Sequence, residues 1–215
     1  VYNAVFAVAQ FWDGRAKDLE EQAGGPLVNP LEMDTTEAHV IEQLEGIPGY
    51  LPVFAAAFPG EGKPITFANV RKAIAVFEAT LITPDAAFDA FLKGDEKALD
   101  AGQAAGLALF INKGCVACHN GINGGAHMYA PFGVVERPGG DVLPIGDKGR
   151  FEVTKTASDE YVFKAPSLRN VAITAPYFHT GKVWDLRQAI AIMGSAQLGA
   201  TLTDDEVLKI EQFLG

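Results

Sequence analysis

Cysteine is scarce in this chain: two in 215 residues, three positions apart. So small a supply leaves no second cysteine pair to complete a four-ligand zinc site of the usual spacing. Basic residues are also few, 17 Lys and Arg against 27 Asp and Glu, for a formal charge of -10. No Lys/Arg-dense stripe is available to neutralise a phosphate backbone, which sets nucleic acid aside as a partner. No apolar run approaches the ~20 residues that a membrane span requires. No charged segment followed by an apolar one opens the chain, so an exported protein of this sequence is expected to have lost its signal. The first residues, VYNAVFAVAQFWDG, are apolar from the start, as a stretch inside a larger protein would be. Apolar side chains are plentiful. At 48% of residues they suffice for a core in one large domain or two small ones.

Both cysteines fall in GCVACHN, residues 114–120, and His119 directly follows the second. Four uses of this motif compete. A redox disulfide wants a preceding strand and a βαβ setting. Here QAAGLALFINKG instead predicts a helix stopped by Gly114, with Leu107, Phe110 and Ile111 on one side. A zinc site wants further ligands, and His127 and His179 follow no finger spacing. Buried, unreactive thiols are the bland alternative. Covalent haem attachment uses every residue of the pattern. Two thiols separated by two residues reach the two vinyl groups on one porphyrin edge, and the adjacent imidazole comes under the iron. Cys115 and Cys118 would become thioethers, and His119 the proximal ligand. Haem c of this kind is matured outside the cytoplasm, so a bacterial periplasm is the expected compartment.

A sixth ligand is then sought among three methionines and three other histidines. Met128 follows His119 too soon for a chain that must pass round the porphyrin edge. Met193, in AIAIMGSAQLG, is placed in a loop just before a closing helix. That helix opens on Thr203 and Glu206 as a capping box and carries Val207, Ile210 and Leu214 on one stripe. Residues 101 to 215 thus read as helix, CxxCH, long excursion, methionine loop, closing helix, the order of a cytochrome c domain. A methionine filling a gap in the core is the alternative. His/Met ligation would raise the potential and close the iron to small ligands.

An internal echo points to a second half. FWDGRAKDL at 11–19 lies without gaps on FHTGKVWDL at 178–186, pairing Phe11 with Phe178, Trp12 with His179, Gly14 with Gly181 and Asp18 with Asp185. Each copy precedes a Gly/Pro-containing stretch with a methionine and then a Thr-led acidic segment entering a helix. Phe67, Val70, Ile74, Phe77 and Leu81 predict a further helix over 66–82, ended by Thr83-Pro84. The expected fold is all-α with two cytochrome c-like domains, 1–92 and 93–215. The first is incomplete at its N-terminus and lacks its own CxxCH.

Longer stretches make a resemblance specific. FWDGRAKDLEEQAGGPLVNPLEM, ITFANVRKAIAVFEATLITPDAAFDAFLKGD, LFINKGCVACH, FKAPSLRNVAITAPYFHTGKVWDL and IMGSAQLGATLTDDE together resemble the bacterial dihaem cytochrome c peroxidases over essentially the whole chain. In that family an N-terminal CxxCH haem reacts with peroxide and a C-terminal His/Met haem feeds it electrons. The chain resembles the portion after the first haem site. The resemblance implies reduction of hydrogen peroxide to water, with electrons from a small donor such as a cytochrome c or a blue-copper protein, and a homodimer. A monohaem electron carrier without peroxidase activity is the alternative. A MauG-like oxidising enzyme is a second one, disfavoured because that relative carries a distal tyrosine where Met193 is expected.

The resemblance also implies roles by position. Cys115, Cys118, His119 and Met193 would attach and ligate the electron-transfer haem. Trp12 would stand between the two haems, although a half-buried core indole is the plain alternative. Gln22 and Glu32 would belong to the peroxide pocket, Glu32 carrying a proton. Thr174 and Pro176 would offer backbone carbonyls to a calcium ion. His179 is divided between structural hydrogen bonding and a place near the haem, while His39 and His127 read as surface residues. Residues 132–159 read as a loop round the haem. Charge is uneven: residues 1–92 hold 13 acidic and 5 basic side chains, residues 93–215 hold 14 and 12. The nearly neutral haem-bearing half suits a donor that docks through an apolar patch with modest steering.

Overall fold

A computed structural model describes residues 1–215. The chain is helix-rich, and its contacts divide it into two units, Val1–Val5 with Ala16–Ile82, and Phe6–Arg15 with Thr83–Gly215. The sequence reading places the division at 92/93. Contacts place the break at Ile82/Thr83 and assign Phe6–Arg15, with Trp12, to the second unit.

The first unit holds α1 (Leu19–Val28), α2 (Glu37–Glu45), α3 (Tyr50–Ala57) and α4 (Phe67–Ala79). Three of these begin at side-chain caps: Asp18, Thr36 and Thr66 each accept a hydrogen bond from the backbone N–H three residues on. Phe54, Ile65 and Val70 form the core, flanked by Val40, Ile41, Leu44, Phe58 and Ile74. Helix α4 follows the predicted periodicity but ends at Ala79, short of Thr83-Pro84, and Phe77 is exposed rather than part of the buried stripe. Gly24 lets α1 approach α4. A Cβ there would meet the Arg71 side chain at 2.9 Å, and Arg71 Nε donates to Glu20 O across the same crossing.

The second unit holds α5 (Ala87–Leu92), α6 (Ala101–Asn112), α7 (Phe151–Thr154), α8 (Leu186–Leu198) and α9 (Asp204–Leu214). The all-α expectation needs one correction. Strands β1 (Tyr129–Pro131) and β2 (Val162–Lys164) pair antiparallel, with Tyr129 opposite Lys164 and Pro131 opposite Val162. This ladder satisfies backbone groups that a loop across a core would otherwise leave unpaired. The long excursion between β1 and β2 includes α7 and is otherwise mostly irregular.

Helix α6 packs across α9 at a glycine, where a Cβ on Gly106 would lie 1.9 Å from Lys209 O. Phe110, one turn on, joins Ile190, Val207 and Ile210 in the core beneath. Ile111 turns away and is 50% exposed, contrary to its expected place beside Phe110, because consecutive helical residues diverge by about 100°. The Thr203/Glu206 capping box on α9 is present as read. Met193 is not in a loop: it sits inside α8, half-buried. Gly194 and Ser195 did not break that helix, which runs to Gly199 in the left-handed conformation.

Candidate functional site

The end of α6 delivers the cysteines. Gly114, at φ +94°, turns the chain out of the helix, and Cys115–Ala117 form one 3-10 turn. Cys118 and His119 both donate backbone N–H groups to Cys115 O, at 3.3 and 3.0 Å. Asn120 closes the turn by donating its side-chain amide to Val116 O at 2.8 Å. Two thiols and one imidazole are therefore carried on a single short turn. Both thiols are free and half-buried, and burial pushes the Cys115 thiol up, so it stays protonated rather than acting as a thiolate nucleophile.

His119 is held from behind. Its Nδ1 lies 3.2 Å from Gly124 O, an arrangement that assigns the proton to Nδ1 and leaves Nε2 as the basic atom. Burial keeps its pKa below the ordinary histidine value, ahead of the opposing effect of the nearby carbonyls of Gly124 and Pro166. Gly125 makes this packing possible: at φ +135°, a Cβ on it would fall 2.2 Å from Pro166 O and 3.2 Å from His119 Nδ1. A neutral imidazole with one nitrogen oriented by a carbonyl is the form that ligates a metal.

Cys115, Cys118 and His119 line one cavity of about 250 Å³ together with Met193 from α8. Its other walls are mostly apolar, with Phe110, Phe132, Phe163, Tyr177 and Ile190 among them. Two thiols that could form thioethers, a half-buried imidazole and a methionine thioether around an apolar cavity fit haem c. No group of three or more His, Cys, Asp or Glu side chains is arranged to hold a bare metal ion, so the zinc alternative gains no support from the geometry. Met128 and Met33 do not line the cavity, and Met33 is exposed.

Trp12 also lines this cavity, its ring edge-on to His179 with centroids 6.0 Å apart. His179 lies flat on Phe163, centroids 4.2 Å apart, and its side chain is 7% exposed. Asp147 Oδ2 lies 2.9 Å from His179 Nε2, within ion-pair distance. Burial lowers the His179 pKa against the pull of Asp147. Thr174 and Pro176 line the same cavity. Gln22 and Glu32 do not. Gln22 is half-buried on α1, and Glu32 is exposed, its Oε1 accepting from Asn29 Nδ2 at 2.8 Å; both belong to the first unit. Sequence reasoning missed Phe163 and Lys164 as cavity residues. FKAP carries no spacing signal by itself, and only the ladder with Tyr129–Pro131 brings these two residues to the cavity wall.

Known proteins resemble the chain as a whole. A family profile described as di-haem cytochrome c peroxidase matches residues 1–97. Cytochrome c551 peroxidase of Pseudomonas aeruginosa is 60% identical over the whole chain, which spans 62% of that protein. Cytochrome c peroxidase Ccp of Escherichia coli is 44% identical over the whole chain, which spans 46% of it. Among solved structures, a MauG-like protein associated with microbial copper homeostasis superposes with a TM-score of 0.81 at 26% identity, covering 97% of this chain and 71% of that one. The chain thus spans between about half and two thirds of the curated relatives it matches. Over its full length the chain is thus similar to cytochrome c peroxidases, and over residues 1–97 it matches the di-haem cytochrome c peroxidase family profile.

Proposed function

We propose that the protein of which this sequence forms part reduces hydrogen peroxide to two waters, consuming two electrons and two protons, and that the second unit is the electron-entry domain. The observation that carries this reading is the convergence of Cys115, Cys118, His119, Met193 and Trp12 on one apolar cavity. Haem c, when attached there, supplies a one-electron redox centre. The two thiols would anchor it and His119 and Met193 would hold its iron, leaving no open position there for peroxide, so this unit would pass electrons on. The apolar walls exclude water and keep the reorganisation on electron transfer small.

The first unit, Val1–Val5 with Ala16–Ile82, is read as the remainder of the peroxidatic cytochrome c-like domain. There Gln22 orients peroxide by hydrogen bonding, while Glu32 takes a proton from one oxygen and returns it to the departing one. Trp12 shortens the electron's path between the two centres. The carbonyls of Thr174 and Pro176 are assigned to a calcium ion, and they supply only two of the six to eight oxygens such an ion takes, so further ligands must come from elsewhere. A small cytochrome c or blue-copper donor in the periplasm, and a homodimeric enzyme, complete the reading.

Haem quantitation by pyridine haemochrome, alongside peroxide turnover with a reduced small donor, tests it on the full-length protein. Two haems per polypeptide with turnover are expected. One haem and no turnover would establish the electron-carrier alternative in its place.

A further inference from the structure

Trp12 lies in Phe6–Arg15, a segment of the second unit whose bonded partners Ala126, Arg150 and Lys164 lie more than 100 residues on in sequence. A segment so remote from its packing partners must be held by particular bonds. Two of them come from one residue: Lys164 donates its backbone N–H to Trp12 O at 2.8 Å and its ammonium Nζ to Ala9 O at 2.6 Å. Both carbonyls flank the part of the segment that turns at Phe11, whose φ of +64° is unfavourable for a phenylalanine and needs support from its surroundings. Lys164 is also a wall of the haem cavity, and Trp12 is another.

We infer that Lys164 is the positioning residue that fixes Trp12 at the haem cavity, through a backbone bond to Trp12 itself and an ammonium bond to Ala9. Its placement is specific. Lys164 is the last residue of β2 and pairs with Tyr129 across the ladder, so its backbone cannot drift away from the cavity wall. Burial lowers its pKa while Asp13 partly offsets that effect, which marks an ammonium with little water around it and one good carbonyl acceptor. A charged donor on a buried carbonyl makes a stronger bond than a neutral one. The segment has further ties in Arg150 Nη1 to Asp13 O at 3.1 Å, Val8 N–H to Ala126 O and the Lys164 backbone N–H to Trp12 O, so loss of the ammonium loosens the segment first at Ala9, between Val8 and Trp12.

The significance of a fixed Trp12 rests on its proposed role as electron relay, but the positioning can be tested without it. In the full-length, haem-loaded protein, Lys164→Met keeps the aliphatic stem and removes the ammonium. Hydrogen exchange of amides in residues 6–15 is expected to quicken by roughly tenfold to a hundredfold, while peptides from α6 and α9 stay as slow as before. Lys164→Arg keeps a charged donor and is expected to restore slow exchange, a rescue that a packing role for the stem alone would not produce. Exchange in residues 6–15 unchanged by Lys164→Met overturns the assignment. If that variant loosens throughout, Lys164→Gln is read by the same local criterion. Trp12→Phe reports separately on the relay. Unaltered electron transfer between the haems in that variant would sink the relay and leave the Lys164 result standing.

Discussion

Trp12 and His179 occupy matched positions of an internal repeat, and their rings meet edge-on at 6.0 Å, with planes at 66°. The repeat is conformational as well as chemical. Phe11 and Phe178 both take positive φ, at +64° and +63°, and Gly14 and Gly181 follow at +74° and +61°. Asp18 and Asp185 then cap α1 and α8 in the same way, each accepting from the N–H three residues on. One backbone pattern, used twice, aims two rings at one cavity.

The matched glycines should nevertheless differ in tolerance. Gly181→Ala meets only the Pro176 ring at 3.3 Å, so its cost is mainly the left-handed backbone, about 1–2 kcal/mol. Gly14→Ala adds a collision, since its Cβ would stand 1.9 Å from Tyr129 Oη and 2.8 Å from Arg150 Nη1. Overpacking adds about 1–3 kcal/mol to the same backbone term. Denaturant midpoints should therefore fall further for Gly14→Ala than for Gly181→Ala. Equal losses would show that Tyr129 and Arg150 swing aside freely.

Met193→His should keep the covalent haem and lower its potential by on the order of a hundred millivolts, because imidazole replaces a weakly donating thioether. The thioether-to-iron charge-transfer band at the red end of the spectrum should vanish with the substitution. Its survival would remove Met193 from the ligand set.

What could be read before the structure was local. CxxCH, the Thr203/Glu206 capping box and the stripe of α9 depend on neighbours within one or two turns, and the fold keeps them, whereas the stripe of α4 holds only over its first turns before Phe77 turns outward. Met193 stands out in the sequence by its distance from His119, but its helix does not, because GSAQLG looks like a turn until Ile190 and Ala196 are seen buried. Lys164 and Phe163 were invisible for a different reason. Their place follows from strand pairing with Tyr129–Pro131, a non-local contact with no period to announce it. Glu32 was legible only through family resemblance. Within the first unit it is an exposed carboxylate bonded to Asn29, with nothing in its own surroundings to mark it.

In the complete protein, Glu32→Gln should cut peroxide turnover by about a hundredfold or more and leave donor reduction of the Met193 haem intact. The amide preserves size and can still bond Asn29, but it cannot carry a proton. Stopped-flow reduction and steady-state turnover separate the two steps. Full turnover in the variant would return Glu32 to the solvated carboxylates.

Asp89 should contribute stability that acid removes. Arg169 grips it with both terminal nitrogens, Nη2 to Oδ1 at 2.6 Å and Nη1 to Oδ2 at 2.9 Å, and the two side chains are only 18% and 15% exposed. The same guanidinium reaches Ile122 O, just after the CxxCH turn, so the pair ties α5 to the loop behind His119. Hydrogen bonding to Arg169 is the largest cause of a carboxyl pKa held below the ordinary value, with a smaller share from the Ala86 N–H. A depressed carboxyl pKa means that its contribution is whole above the unfolded value, about 3.9, and fades as pH falls through the lower folded one. Asp89→Asn, which cannot titrate there, should cost about 1.5–3 kcal/mol at neutral pH, the range for a hydrogen bond to a charged group. The gap between variant and parent should then close as the pH is taken below the folded carboxyl's pKa. Chemical denaturation from pH 7 to pH 2.5 measures it, and a gap that stays constant across that range would show that the Asp89–Arg169 ion pair contributes nothing beyond the shape of its side chains.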